Sequence, residues 1–374
     1  MLSHLRFPAE SSRGRRYPEP GHAYRNAFQR DRDRIIHTRA FRRLENKTQV
    51  FAPGISDHFR NRLTHTLEVS QIARTAANVL GLNEDLTEAL ALVHDVGHPP
   101  FAHAGEEALD HQMQKGGERF DHNIQALRIV ETLEQRYPRF PGLNLTFEVR
   151  EGIVKHSRDF APGEFPALDE YLPGLRPPLE AQLIDLADEV AYNAADLDDA
   201  YEAGLLTAAQ IAEAVPAYAE LLDTIETQFP GATGREQFQE SVRHLIDDLV
   251  SGLITGTVTA VKDAGITDIE AVRRHEGRLV RFTAETRQTS LELKRFLLRN
   301  VYSSDALDTN RRDSIAKLDQ LFEYLVAHPE KIHAAGGDSP EQSPRRAVCD
   351  FLAGMTDRYC LRFYDTVFQS STFE

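Results

Sequence analysis

The chain has 374 residues, of which 41% are hydrophobic and 27% charged, with a formal net charge of -15. That length allows one large domain or two ordinary ones around a substantial core, and the negative balance argues against a protein that coats nucleic acid over its whole surface. No apolar run approaches the ~20 residues that span a bilayer, and the start, MLSHLRFPAESSRGRRYPEP, has no signal-peptide hydrophobic region. Cys349 and Cys360 give neither a disulfide framework nor a zinc ribbon, so the expectation is reduced core thiols in a cytoplasmic protein without a membrane partner.

Charge is unevenly spread. Residues 1 to 62 hold 14 Arg plus Lys against 6 Asp plus Glu, a net +8 that leaves -23 for the remainder. Residues 1 to 24 are rich in Arg, Pro and Ser and are expected to form a flexible basic arm, free or docked on another subunit. A basic segment ahead of a histidine cluster suggests an anionic ligand there; the alternative is an arm that only aids solubility or docks a neighbour. From Tyr24 to Val50 the spacing of Ile35, Ile36, Ala40, Phe41 and Leu44 predicts helix, and Pro53-Gly54 marks a loop over residues 51 to 61.

The stretch from Arg62 to Glu106 carries most of the chemistry. Val69, Ile72 and Ala76 follow His65 at steps of four, three and four, which is one side of a helix and points His65 inward. Gly81 is placed to end that helix, and Asn83 followed by Glu84 and Asp85 is placed to cap a second. Leu86, Leu90 and Val93 mark the second helix's core side, with His94 on that side and Asp95 beside it. Any one of these histidines fits a core role satisfied by a carbonyl. The set does not, because an ionised aspartate beside a buried imidazole costs several kcal/mol, as an order of magnitude, unless a cation or donors compensate.

Pro99-Pro100 breaks the chain, and a helix is expected over Ala104 to Lys115, placing His103 and Glu106 three residues apart on its first turn. Phe120-Asp121-His122-Asn123 leads into helices over Ile124 to Arg136 and Thr146 to His156. Residues 157 to 178 contain five prolines and read as a long loop. In the helix Leu179 to Glu202, Ala181, Ile184, Ala191 and Ala195 trace one face and Asp188 lies among them without a local counter-charge; Tyr192 and Asp196 follow four and eight residues on. Helices are expected over 207 to 228, 234 to 264, 287 to 302, 313 to 328 and 344 to 368, with room for a short hairpin within Ile269 to Thr286. The fold is therefore expected to be all-α. A helical core over 25 to 205 carries a helical C-terminal region, 206 to 374.

The ordered series His65, His94-Asp95, Asp188 resembles the H…HD…D pattern of the HD-domain phosphohydrolases. The surrounding RLTHTLEV, HDVGHPPFAHAGEEAL, FDHNIQALRI and DLADEVAYNAADLDDA, with RDRDRIIHTRAFRRLENKTQVF upstream and RRAVCDFLAGMTDRY late in the chain, resemble the deoxyguanosine triphosphate triphosphohydrolase family. The likeness spans about residue 24 to residue 368. It implies hydrolysis of a deoxynucleoside triphosphate (dNTP) to deoxynucleoside and inorganic triphosphate. By motif position His65, His94, Asp95 and Asp188 would be metal ligands, a set that suits Mg, Mn, Fe, Co or Zn without choosing among them.

The same resemblance implies His103 as proton donor to the leaving 5′-oxygen, with Glu106 and His122 tuning it. It implies phosphate contacts from Arg62, His98 and Tyr192, sugar 3′-hydroxyl contacts from Gln49 and Asp196, and an apolar wall at C2′ from Val50. Two departures stand out: Glu189 and Asn123 occupy positions that hold a lysine and a carboxylate in the family's vertebrate member. Expected partners are the dNTP substrate and further copies of the chain, with a dNTP effector and single-stranded nucleic acid as additional candidates. The competing readings are an HD phosphohydrolase of another nucleotide phosphate ester and a non-catalytic nucleotide or single-strand binding regulator.

Overall fold

A computed structural model describes residues 1–50, 58–303, 305–334 and 343–368; the Pro53-Gly54 loop lies outside them. Asn26, in a reciprocal capping box with Gln29, opens α1 (Ala27–Ile36). The helix expected to run to about Lys47-Thr48-Gln49 instead stops at His37, because the Thr38 hydroxyl accepts from Phe41 N and starts α2 (Arg39–Arg43). α3 (Arg62–Leu80) runs from the Asn61 cap to Gly81 at φ 80°, and α4 (Glu84–Val93) starts on Asn83; the Gly81 stop and the Asn83 start are as the sequence indicates. α5 (Ala102–Gln114), α6 (His122–Arg128) with a π turn over Ile129–Leu133, α7 (Phe147–Val154) and α8 (Leu179–Glu202) complete the half of the chain that carries the site.

Pro216 divides the helix expected over 207 to 228 into α9 (Ala208–Ala214) and α10 (Pro216–Gln228). α11 (Gly234–Asp263) and α12 (Ile269–Arg274) follow, the latter where a hairpin was allowed for; Asp268 caps it by accepting from Ala271 N. α13 (Ala284–Leu297), with its π turn Leu298–Tyr302, then α14 (Asp305–Ala327), α15 (Glu330–Ala334), α16 (Pro344–Ala353) and α17 (Asp357–Phe368) end the chain. Among the described residues there is no strand, only isolated bridges such as Arg15 with Thr146, so the fold is all-α.

The main core is built where α3, α4 and α8 pack together. Val69 and Ala76 of α3, Leu86 and Leu90 of α4, and Leu183 and Val190 of α8 are all buried in it, and α11 and α13 close over it with Leu245, Leu253 and Leu293. Residues on both sides of position 205 thus share one apolar cluster. A second cluster joins Leu109 and Met113 of α5 to Leu318, Phe322, Val348, Leu352 and Cys360 from α14, α16 and α17. Both cysteines are free and buried there, and burial raises both thiol pKa values, Cys360 to about 12.

The first 24 residues depart from the expected flexible arm. Leu2, Leu5 and Phe7 are buried in the main core, and Phe7 N donates to Glu180 Oε1 at 2.9 Å. Arginines that made this segment look available are engaged internally: Arg15 with Asp31, and Arg16 with Glu131 and Glu170. The reason is pattern: three apolar residues within the first seven cover one end of α3 and α8, and the basic residues find carboxylates in the same fold. Phe7→Ala is therefore expected to cost about 3 kcal/mol, the scale of emptying a buried aromatic site, read as a lower urea midpoint with unchanged slope. A midpoint equal to wild type would mean the segment contributes nothing to the core.

Candidate metal centre and adjoining histidine cluster

His65 sits one turn into α3, His94 at the C-terminal end of α4, and Asp188 midway along α8. Because these three helices pack mutually, their polar residues converge. His65 Nε2 is 2.8 Å from Asp188 Oδ1, and one ligand atom from each of His65, His94 and Asp188 lies within 4.8 Å of the others. His65 and His94 are buried, while 23% of the Asp188 side chain is exposed, so the trio can be reached from solvent.

His94 carries the strongest physical signal. Its Nδ1 is 2.6 Å from the Ala91 carbonyl oxygen. A carbonyl only accepts, so Nδ1 holds the proton and Nε2 a lone pair. That Nε2 is buried without a hydrogen-bond partner and faces Asp95 Oδ1 at 3.4 Å and Asp188 Oδ1 at 3.8 Å. A lone pair buried opposite two carboxylates is unfavourable in this form, and a divalent cation between them satisfies all three. Burial holds the His94 pKa below its ordinary value, keeping the nitrogen free to coordinate. For His65, burial also opposes protonation, but the Asp188 carboxylate outweighs it and the pKa rises, so an ion would compete there with a proton. Burial works against ionisation of Asp188, yet His65 and His94 draw its pKa down to about 2.

Asp95 stands slightly apart from the trio. Its Oδ2 accepts from Arg62 Nη1 at 2.7 Å, and its Oδ1 lies 3.2 Å from His98 Nε2. Burial opposes its charge, but His94, Arg62 and His98 together keep it well below the ordinary carboxylate range. Gly97 makes this turn possible, since a Cβ there would sit 2.0 Å from the His122 carbonyl oxygen and 2.4 Å from Ala126 N. The tight approach brings α6 onto the His94-Asp95 turn and stacks His122 on His98, ring centroids 3.9 Å apart.

The three residues expected around proton transfer are also brought together. Glu106 Oε1 accepts from His122 N at 2.9 Å and is 2.8 Å from His122 Nδ1, while Glu106 Oε2 is 3.7 Å from His103 Nδ1. Burial would raise the Glu106 pKa, but His103 and His122 hold it far below the usual range. His103 is 81% exposed at the side chain and so faces whatever binds above.

On the other side, Tyr192 and Asp196 lie along α8 beyond Asp188. Asp196 is buried and accepts from the Tyr302 hydroxyl, and burial pushes its pKa up to about 7. Lys294 lies 5.6 Å over the Tyr192 ring and pairs with Glu189 at 2.6 Å, so an ammonium reaches the neighbourhood of position 189 from α13. Gln49 Oε1 is buried without a partner and Val50 packs at the core edge.

The basic segment is deployed differently from the expectation that it faces the histidine cluster. Arg39, Arg42 and Arg43 line a cavity of about 840 Å³ with Arg358 and Arg362, and Arg60 is bound to Asp198 and Asp199. Arg62 is the member of the segment whose side chain meets the cluster. The Lys47 ammonium reaches only backbone there, donating to the carbonyls of His98 and Ala353; burial lowers its pKa to about 7.

Four neighbours of the site escape the sequence reading: Lys47, His156, Lys294 and Tyr302. His156 follows the end of α7, its ring 5.3 Å from His94 and its Nε2 3.9 Å from Asp188 Oδ2. It is a lone histidine with no partner at helical spacing. Tyr302 belongs to a π turn, where a 3.6-residue period no longer tells which side faces in.

Asp196 makes a checkable pH dependence. The folded state holds a proton on it up to about pH 7, whereas an unfolded aspartate releases it near pH 4. Between those values the folded state binds more protons, so this group makes stability fall as pH rises, by at most about 4 kcal/mol. Asp196→Asn is expected to flatten the urea midpoint of metal-free protein between pH 5 and pH 8 relative to wild type. An equal slope in both proteins would remove Asp196 as the source.

Comparison with known proteins gives consistent results. The HD domain matches residues 62–193 and the phosphohydrolase-associated domain matches residues 280–366. A deoxyguanosinetriphosphate triphosphohydrolase-like protein of Geobacter sulfurreducens is 44% identical over 361 residues, covering 96% of this chain and 92% of the relative. Proteins with the same description from Ralstonia nicotianae and an Azoarcus species are 45% and 44% identical, covering 96% of this chain and 92% and 94% of theirs.

Proposed function

Because the chain belongs to the deoxyguanosinetriphosphate triphosphohydrolase-like family of HD-domain phosphohydrolases, we propose that it hydrolyses a dNTP to the deoxynucleoside and inorganic triphosphate. The observation that carries this reading is the buried lone pair of His94 Nε2 opposite two carboxylates, beside His65. His65, His94, Asp95 and Asp188 would hold the divalent ion, and their two imidazoles and two carboxylates leave Mg, Mn, Fe, Co and Zn all admissible. When bound, the ion supplies Lewis acidity toward an α-phosphate oxygen and lowers the pKa of water to the neutral range.

The protein's own groups do the rest. Arg62 spans Asp95 and the approach to the phosphate, where its guanidinium offsets charge that grows as water attacks the α-phosphorus. The bond from phosphorus to the 5′-oxygen breaks as the bond to the water oxygen forms, and His103 gives the leaving oxygen its proton; the proton lost by the attacking water passes to solvent, from which exposed His103 is reprotonated, and Glu106, fixed by His122, positions His103. His98 and Tyr192 meet the phosphates, with Lys294 supplying positive charge beside Tyr192. Gln49 and Asp196 meet the 3′-hydroxyl, Asp196 being oriented by Tyr302, and Val50 leaves an extra 2′-hydroxyl without a partner.

Product analysis tests the assignment. Each of the four dNTPs, singly and in pairs with Mn or Mg, is incubated with the protein and the products are separated. Inorganic triphosphate in equal amount to deoxynucleoside supports it, and acceleration in a pair identifies an effector. Orthophosphate or pyrophosphate from every substrate would instead assign another phosphate ester to the same centre.

A further inference from the structure

We propose that His98, His103 and Glu106 form a second divalent-cation site, selective for zinc-class ions, whose occupation takes the proton donor out of service. The inference rests on the role given above to His103, and it concerns regulation of that site.

The hydrogen bonds around His98 leave little choice of tautomer. Asp95 Oδ2 is taken by Arg62, and Asp95 Oδ1 lies 3.2 Å from His98 Nε2. A carboxylate accepts, so Nε2 carries the proton and Nδ1 a lone pair. That Nδ1 is buried and has no hydrogen-bond partner. Glu106 repeats the pattern: its Oε1 is saturated by His122 N and Nδ1, leaving Oε2 turned toward His103 Nδ1 at 3.7 Å, too long for a hydrogen bond. One ligand atom each from His98, His103 and Glu106 falls within 4.8 Å of the others. Two members are held by neighbours, and the third, exposed His103, has the freedom to swing in.

Two imidazole nitrogens and one carboxylate oxygen suit zinc, cobalt or nickel and suit magnesium or calcium poorly, since those take oxygen ligands. An ion on one ring nitrogen of His103 keeps the ring from holding protons on both, so it can no longer act as the imidazolium that donates to the leaving oxygen. It also occupies the His98 nitrogen turned away from Asp95. Mg or Mn would therefore support turnover across a wide range of concentration, while zinc in excess of the first equivalent would switch it off.

The test uses the full protein equilibrated with increasing Zn(II), with bound Zn counted after dialysis. Wild type is expected to bind two Zn, and the dNTP turnover supported by the first should fall at least tenfold over the range in which the second binds and return when a weak chelator removes it. His103→Ala should bind one Zn, while His111→Ala, exposed on the same helix, should bind two. Absence of a second equivalent in wild type overturns the proposal, as does its retention by His103→Ala or inhibition already complete at the first equivalent. A further equivalent that depends on His103, in a protein that hydrolyses no dNTP at any loading, supports the second site and overturns the functional reading alone.

Discussion

Asp188→Asn is expected to lower kcat for dNTP hydrolysis by about 10³-fold or more, equivalent to about 4 kcal/mol of lost transition-state stabilisation. Asparagine keeps the shape of the side chain and its place among Ala187 and Ala191 of α8, so the fold should be retained. What changes is charge. Asp188 Oδ1 is the atom shared by His65 Nε2 at 2.8 Å and His94 Nε2 at 3.8 Å, and without its negative charge two buried imidazoles are left to hold a dication with Asp95 alone. Steady-state turnover at saturating Mn, paired with metal content after gel filtration, checks this: both should fall together. Retention of a tenth of wild-type turnover with normal metal content would show that Asp188 does not serve the ion.

The second large effect is at His103. His103→Ala should reduce kcat by roughly 10² to 10⁴-fold, the usual contribution of a positioned proton donor, while metal at the His65-His94-Asp188 centre is retained. The two variants thus separate binding of the ion from protonation of the leaving group. An ester with an acidic leaving group such as p-nitrophenol needs no proton, so the loss on a p-nitrophenyl ester of a deoxynucleoside monophosphate should be far smaller than on a dNTP. Equal losses on both substrates would assign His103 to binding. Glu106→Gln should follow the same pattern more weakly, because Glu106 acts through His103 and His122.

These residues differ in how readily they can be read from the chain. His65 is legible because Val69, Ile72 and Ala76 share its helix face, and because Gly81 ends that helix by local chemistry. The Asn83 cap and the whole of α8 are legible for the same reason. Breaks set by a single residue are harder: Thr38 and Pro216 each divide what the apolar period presents as one helix. The buried start of the chain is obscured by composition, since Arg15 and Arg16 suggest solvent until their partners Asp31 and Glu131 are known. His156, Lys294 and Tyr302 lie far from the motifs in sequence and reach the site only through packing of α7 and α13 against α8.

The metal centre itself can be tested by one diffraction measurement. Crystals grown with Mn should give the strongest anomalous-difference peak among His65, His94, Asp95 and Asp188. A crystal of active, Mn-dependent protein in which that position is blank and the peak lies elsewhere would contradict the account.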